Sequence, residues 1–287
     1  MATSIQYLIL GAGYTGGRVA ALLERQGRRV VRVRAHGGAP GEREHGGATG
    51  AWEHGGAPGV RFDVLDASTH AALAGAVEPG ARVLYSLPVL RTPGGYQATA
   101  AIVAPLLAGA VRVVYLSTTG VYGDAHHVDE TTPAAPRHLR EELRIEEERT
   151  LAAGPWSTLV LRPAAIYGPG RGVHESMRAG KYRLPGDGSN YISRIHVDDL
   201  AAHCAAALDA AVTGTFPVAD DEPCPAREIA GFCANLLSVP MPEFTERLPG
   251  DDTRRANRRV DGRAIRAALG VALRYPSYRQ GIVASLS

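Results

Sequence analysis

The chain has 287 residues, 45% of them hydrophobic and 21% charged, with a formal net charge of +2. That balance suits one large α/β domain or a core domain with a smaller annex. It argues against a disordered tail and against a dedicated nucleic-acid binder, which needs a far larger basic excess. The apolar run Tyr7–Leu10 is too short for a signal peptide and no 18-residue apolar stretch exists, while three cysteines (Cys204, Cys224, Cys233) without paired spacing suit neither a disulfide framework nor zinc, so the expectation is a cytoplasmic protein with no membrane partner.

In chain order, Ile5–Leu10 reads as a strand and Thr15–Gln26 as a helix with Val19, Leu22 and Leu23 on one face. Val30–Arg34 and Val60–Phe62 are the next strands, and Ala81–Tyr85 and Val111–Leu116, apolar on both faces, are buried ones. Ala98–Ala108 and Arg137–Ala153 are helices, Thr158–Leu161 a further strand, and Val197–Leu208 an alanine-rich helix. Alternation of this kind predicts a Rossmann-type, doubly wound parallel sheet with right-handed crossovers. The expected organisation is a dinucleotide-binding domain over 1–170, completed by about 195–218, with 171–194 and 219–287 as a smaller substrate lobe over the sheet's C-terminal edge.

Gly11-Ala-Gly13-Tyr14-Thr15-Gly16 is a GxGxxG string, weak alone but placed here between a strand and a helix. Gly11 permits the turn, Gly13 lets the backbone approach a pyrophosphate, and Gly16 lets helix and strand pack, with the helix N-terminus aimed at the phosphates. The second strand ends in Arg32 and Arg34, with no acid until Glu42. An acid there takes a ribose 2′-OH and an arginine suits a 2′-phosphate, so Arg34 points to NADPH over NADH. His36, His45 and His54 each open a His-Gly-Gly-Ala repeat at a nine-residue period. The repeat reads as a glycine-rich surface insertion; a histidine metal site is the other reading, and the overall expectation is no metal.

Four later strings point one way. Asp63-Val64-Leu-Asp66 follows the third strand and Leu116-Ser117-Thr118-Thr-Gly-Val-Tyr122-Gly follows the fifth. Leu161-Arg-Pro163-Ala-Ala-Ile166-Tyr167-Gly-Pro-Gly-Arg171 follows the sixth, and Arg194-Ile-His196-Val-Asp-Asp199 opens the alanine-rich helix. In this order and spacing, residues 5 to 210 resemble the extended or atypical short-chain dehydrogenases/reductases, the NAD-dependent epimerase/dehydratase family. The resemblance implies that Tyr14 and Thr15 belong to the cofactor turn. It places Asp63 and Val64 beside the adenine, and Ser86, Leu87, Pro88 and Ser117 along the cofactor. Pro163 and Ile166 would meet its nicotinamide end, and Thr118 falls on the catalytic Ser/Thr. Tyr122, Tyr167 and Arg171 would face the substrate, although aromatic packing explains the tyrosines equally well. The His196–Asp199 segment would tie the lobes together, and a homodimer is implied.

The chain departs from the family at its catalytic pair. Tyr-x-x-x-Lys, in which lysine holds the ribose and lowers the tyrosine's pKa, occurs nowhere, because Lys181 is the only lysine and Met177 stands four residues before it. Matching the helix frame puts His138 at the tyrosine position and Glu142 at the lysine position, on one face. His138 could act as an acid near neutrality, with Glu142 holding its ring; water or Tyr122 are other proton sources. Two readings stand. The first is an NADPH-preferring reductase for a small activated carbonyl or unsaturated, biosynthetic metabolite. The second is a catalytically silent dinucleotide-binding regulator, in which His138 and Glu142 belong to a solvated charged face; nucleotide-sugar epimerase or dehydratase chemistry ranks third. Nine arginines between Arg247 and Arg279 face either an anionic substrate group or solvent.

Overall fold

The computed structural model describes residues 4–35, 59–246 and 256–287. Seven parallel strands form the central sheet: β1 (Gln6–Leu10), β2 (Arg29–Arg34), β3 (Val60–Arg61), β4 (Ala81–Tyr85), β5 (Ala110–Leu116), β6 (Ser157–Pro163) and β7 (Gly214–Val218). Their spatial order is β7-β6-β5-β4-β1-β2-β3, which reverses direction at β1 and β4. The fold is therefore a Rossmann-type doubly wound sheet, whose crevice for ligands lies off the strands' C-terminal ends at that reversal.

Nine helices accompany the sheet among the described residues: α1 (Tyr14–Arg25), α2 (His70–Ala76), α3 (Ala100–Val103), α4 (Leu139–Ala152), α5 (Val173–Arg178), α6 (Val197–Asp209), α7 (Ala226–Leu237), α8 (Arg263–Leu269) and α9 (Tyr278–Leu286). None is long and apolar enough to cross a membrane. Alternation along each strand divides the core in two. Tyr7 and Ile9 of β1 pack with Val19 and Leu23 of α1 and Leu200, Cys204 and Leu208 of α6. Leu8 and Leu10 face the other way, onto Leu73 of α2, Val103 of α3 and Leu151 of α4. The paired helices α1 and α6 cover one side of the sheet, and α2, α3 and α4 cover the other.

Two elements differ from the sequence expectation. The helix expected over Ala98–Ala108 is a single turn, Ala100–Val103, followed by a tighter 3₁₀ stretch, Ala104–Leu107, because Pro105 removes an N–H from the ladder. Strand β7 is one that the sequence pattern does not announce, since its Gly-Thr-Phe-Pro-Val sequence contains Pro217. The proline is tolerated because β7 lies at the edge and, among the described residues, pairs with β6 alone. The histidine repeat and part of the arginine-rich tail fall outside the described residues. Helices α5, α7 and α9 share a separate core of Tyr167, Met177, Leu184, Ile229, Cys233 and Ile282. The three cysteines are free and buried.

Just past β7, Asp220 is buried, with its N–H on the Arg194 carbonyl at 2.7 Å and its Oδ2 without a hydrogen-bond partner. Burial raises its carboxyl pKa well above the usual aspartate value, against the opposing field of Arg194. A carboxyl raised in this way contributes its stability fully below the unfolded value near 3.8 and loses it as pH rises through the native value. Asp220→Asn, neutral throughout, is therefore expected to gain stability relative to the parent chain as pH rises from about 4 to about 8. Urea melts of both proteins across that range check it; a pH-independent difference between them would contradict the burial of the acid in its neutral form.

Candidate active site

The glycine turn between β1 and α1 is built as a cradle. Gly11 has φ of +84°, and a Cβ there would stand 2.7 Å from the Ser86 carbonyl oxygen, so the turn closes directly on the end of β4. A Cβ on Gly16 would lie 2.3 Å from the Gly11 oxygen, which fixes the close approach of helix and strand. Gly13 differs: a Cβ there meets nothing within 4 Å. It is the N-cap of α1, it supplies no side-chain cap, and the first turn carries no acid. The helix thus begins with open space, unspent N–H groups and an uncompensated positive dipole end, the arrangement a pyrophosphate needs. These residues fit a dinucleotide.

Around the cradle, Thr15 is buried, and Tyr14 reaches across to donate its hydroxyl to the Pro169 carbonyl at 3.1 Å. Burial pushes the Tyr14 phenol up to about 12, with Arg18 and Arg171 opposing. Arg171 is half-buried, with its guanidinium 5.3 Å from the Tyr14 ring centroid. Arg32 is buried and forked onto Glu24 of α1 at 2.9 and 2.6 Å, which leaves Arg34 as the exposed arginine at the end of β2. Asp63 spends one carboxylate oxygen on the Leu65 N–H at 2.9 Å, and Val64 is buried beside it. Ser86 and Leu87 are half-buried and Pro88 exposed past β4, while Pro163 is buried at the end of β6 and Ile166 packs onto the α1–α6 core.

The loop after β5 holds Thr118. Its backbone is extended, and its hydroxyl oxygen accepts the Gly120 N–H at 3.1 Å, opening the 3₁₀ turn Thr119–Tyr122. That use of the oxygen leaves the O–H free to donate. Three supports fix the loop. Arg258 is buried and donates to the Thr119 carbonyl at 2.6 Å and to the Gly123 carbonyl. Gly123 has φ of +57°, and a Cβ there would overlap the Ala135 oxygen at 2.2 Å. Ser117 donates its hydroxyl to Glu148 of α4, which is itself forked by Arg162 of β6 at 2.9 and 2.6 Å.

Several sequence-based placements need correction. His138 is not on the helix: it is the N-cap residue of α4, with extended backbone. Glu142 meets it through the main chain, N–H to carbonyl at 3.0 Å, and turns its own side chain to solvent, so it does not hold the imidazole. The His138 Nε2 is buried without a hydrogen-bond partner. Glu141 is the carboxylate drawn toward the Thr118 loop. Its Oε2 accepts the Arg137 N–H at 2.8 Å, and its Oε1 stands 3.5 Å from where a Gly120 Cβ would be. Glu141 thus takes up an N–H of the residue before the N-cap, while His138 supplies no side-chain cap, so the Ser/Thr-x-x-Glu signature that would have marked this acid is absent from the sequence. Tyr122 and Tyr167 are buried rather than lining an open cleft. Arg162 stacks over Tyr122 at 4.8 Å, and Tyr167 stands edge-on to His196 at 5.2 Å. His196 is buried and held neutral, its pKa pushed down to about 4 by desolvation, and Asp199 accepts the Arg274 and Tyr275 N–H groups at 2.7 and 3.0 Å. This segment pins the C-terminal chain to α6.

The model of the NAD dependent epimerase/dehydratase family matches residues 7–218. A 3-diazoavenalumate denitrifying reductase of a Streptomyces species is 35% identical over 152 residues, 48% of this chain and 50% of that protein. A 2-alkyl-3-oxoalkanoate reductase of Stenotrophomonas maltophilia is 33% identical over 153 residues, 46% of each chain. The chain thus spans about half the length of the curated relatives it matches. The solved structure of a functionally unknown conserved protein from Silicibacter pomeroyi is 29% identical, with a TM-score of 0.72, covering 99% of this chain and 98% of that one.

The glycine geometry yields a paired expectation. Gly13→Ala should fold as the parent does, since its Cβ enters open space, yet weaken dinucleotide binding by about tenfold or more, roughly 1.4 kcal/mol. Gly16→Ala should instead lower thermal stability, because its Cβ strikes backbone. Melting curves and dinucleotide titration of both variants check this; equal binding by Gly13→Ala and the parent would remove the cradle from the binding site.

Proposed function

The chain belongs to the NAD dependent epimerase/dehydratase family, and we propose that it is an NADPH-preferring reductase of the atypical extended short-chain type, acting on a small activated carbonyl or unsaturated metabolite. Its cofactor is a nicotinamide dinucleotide, as the family's description states. When bound, that group supplies a hydride. The observation that carries the reading is the pairing of an open glycine cradle with a helix α4 that has no Tyr-x-x-x-Lys: binding is provided for and the usual proton shuttle is not. Both curated relatives named above are reductases, which supports the direction of the reaction.

In this reading the first-turn N–H groups of α1 hold the pyrophosphate, and Arg34 takes the 2′-phosphate with its forked donors. Asp63 and Val64 border the adenine, and Ser86 to Pro88, Ser117, Pro163 and Ile166 line the remaining length. Residues 171–194, with 219–246 and 256–287, contribute the smaller lobe on the substrate side, with Arg171 at its edge. Thr118 donates its free O–H to the substrate oxygen as negative charge grows there, the largest electrostatic contribution available in such a site. His138, with an unsatisfied buried Nε2 at the entrance of α4, holds the proton that follows. An acceptor that is already activated asks least of this arrangement, since the anion left after reduction is delocalised and needs no immediate proton.

Titration of the purified protein with NADPH and NADH, followed by addition of activated ketones, enones and quinones, tests the proposal. Tight binding and cofactor oxidation are expected, with Arg34→Ala losing the preference for NADPH by about tenfold. Tight binding without oxidation across the panel would favour the silent regulator, and NADH preferred over NADPH would remove Arg34 from the role. His138→Phe is expected to lower turnover at least about tenfold, near 1.4 kcal/mol, and to flatten its pH profile; unchanged kinetics would move the proton to another source.

A further inference from the structure

The buried residues of α4 are Arg144, Ile145, Glu147, Glu148 and Leu151, so one cation faces the sheet from this helix. Arg144 Nη1 donates to the Leu87 carbonyl at 3.2 Å, to the Tyr115 hydroxyl at 2.8 Å and to Glu147 Oε2 at 3.3 Å. Glu147 is fixed independently. Its Oε1 accepts the Thr99 N–H at 2.8 Å and the Thr99 hydroxyl at 2.7 Å, and its Oε2 accepts the Tyr115 hydroxyl. The guanidinium is therefore held from one side only. Its Nε and Nη2 have no hydrogen-bond partner among the described residues and are not among the sealed, unsatisfied atoms. Leu87 lies at the same strand end that closes on the glycine turn: its Cδ2 is 3.4 Å from where a Gly11 Cβ would stand. Arg144 thus bridges helix α4 to the rim of the cradle with two donors to spare.

We propose that Arg144 holds the nicotinamide-side ribose, offering Nε and Nη2 to its hydroxyls, and so performs the positioning half of the task that the family gives to lysine. The inference rests on the dinucleotide-binding reading above. An arginine suits it because its planar fork can keep one nitrogen on protein acceptors while the other two face a ligand, which an ammonium on a flexible stem cannot do. It also separates two jobs: the guanidinium stays protonated and moves no proton, so holding the ribose and delivering the proton fall to different residues.

The test compares ligands that do and do not contain the nicotinamide riboside: NADP+ against adenosine 2′,5′-bisphosphate, and NAD+ against ADP, by calorimetry on the full chain. Arg144→Met is expected to weaken the complete dinucleotide by about tenfold or more while leaving the truncated partner within about twofold, and Arg144→Lys to recover only a small part of the loss. Arg144→Met binding the complete dinucleotide like the parent, or weakening complete and truncated ligands alike, would overturn the inference while leaving the cradle intact. Should Arg144→Met fail to fold, the neutral double variant Arg144→Gln with Glu147→Gln replaces it in the same four titrations, where selective loss of the complete dinucleotide supports the inference and its absence overturns it. A parent protein that binds none of the four ligands would overturn the dinucleotide reading itself, and this inference with it.

Discussion

Helix α4 turns two consecutive carboxylates into the protein, and they grip opposite sides of β5. Glu147 reaches toward β4 and the start of α3, collecting Thr99, Tyr115 and Arg144; Glu148 reaches toward β6, collecting Ser117 and both arms of Arg162. Buried charges are costly to desolvate, and such pairs are weak evidence of net stability. Their effect here is on geometry. With both glutamates satisfied, α4 cannot slide along the sheet or rotate about its axis without stranding a buried charge, a loss of about 3–5 kcal/mol. The position of every residue near the α4 N-terminus, His138, Glu141 and Arg144 among them, follows from that clasp.

The loop carrying Thr118 depends on the same clasp from below and on Arg258 from above. Arg258 comes from the far end of the chain and satisfies carbonyls at Thr119, Gly123 and Ala125, so the C-terminal segment helps to shape a loop more than a hundred positions earlier. Arg112 does comparable work at the C-terminus of α6, where it donates to the carbonyls of Ala207 and Val212. These buried arginines give the lysine-poor composition a physical meaning. A guanidinium has five fixed donors and can satisfy several carbonyls at once, which lets one side chain organise an irregular segment that an ammonium would leave partly unpaired. Several of the arginines that look like a solvated surface in the sequence are internal braces.

The sheet was legible in the sequence because its strands are apolar on both faces and separated by periodic helices; Ala81–Tyr85 was placed to the residue, and β1, β5 and β6 to within one or two. The cradle was legible for a similar reason, since glycine spacing encodes backbone contacts directly. Helix α4 was not. Its residues alternate charge so densely that Glu142, which is exposed, and Glu147, which is sealed, look alike, and only tertiary packing distinguishes them. A frame set by amphipathicity fails on a helix whose buried face is built from Arg and Glu in place of apolar side chains. Strand β7 escaped for the opposite reason: a proline hid a strand that an edge position permits.

That inversion of the helix bears on the chemistry. In a tyrosine–lysine site, one cation both fixes the cofactor and lowers the phenol's pKa, so positioning and acidity rise and fall together. Here the inward cation is held through one nitrogen by a glutamate, a tyrosine and a carbonyl, and burial raises the pKa of the nearby phenols. Tyr115 is buried and pushed well above its ordinary pKa by desolvation, and Tyr122 is raised for the same reason. Their surroundings shift both phenols away from the acidity that a lysine gives the family's tyrosine. In the proposed reading, the hydroxyl of Thr118 stabilises an oxyanion without protonating it, and the proton comes from His138 or from solvent. A substrate that becomes stable as an enolate, a phenolate or another delocalised anion on receiving hydride can wait for that proton, whereas a simple alkoxide cannot. The architecture of α4 therefore narrows the proposed substrate through the charge it must leave behind, and it does so before any contact in the substrate lobe is considered.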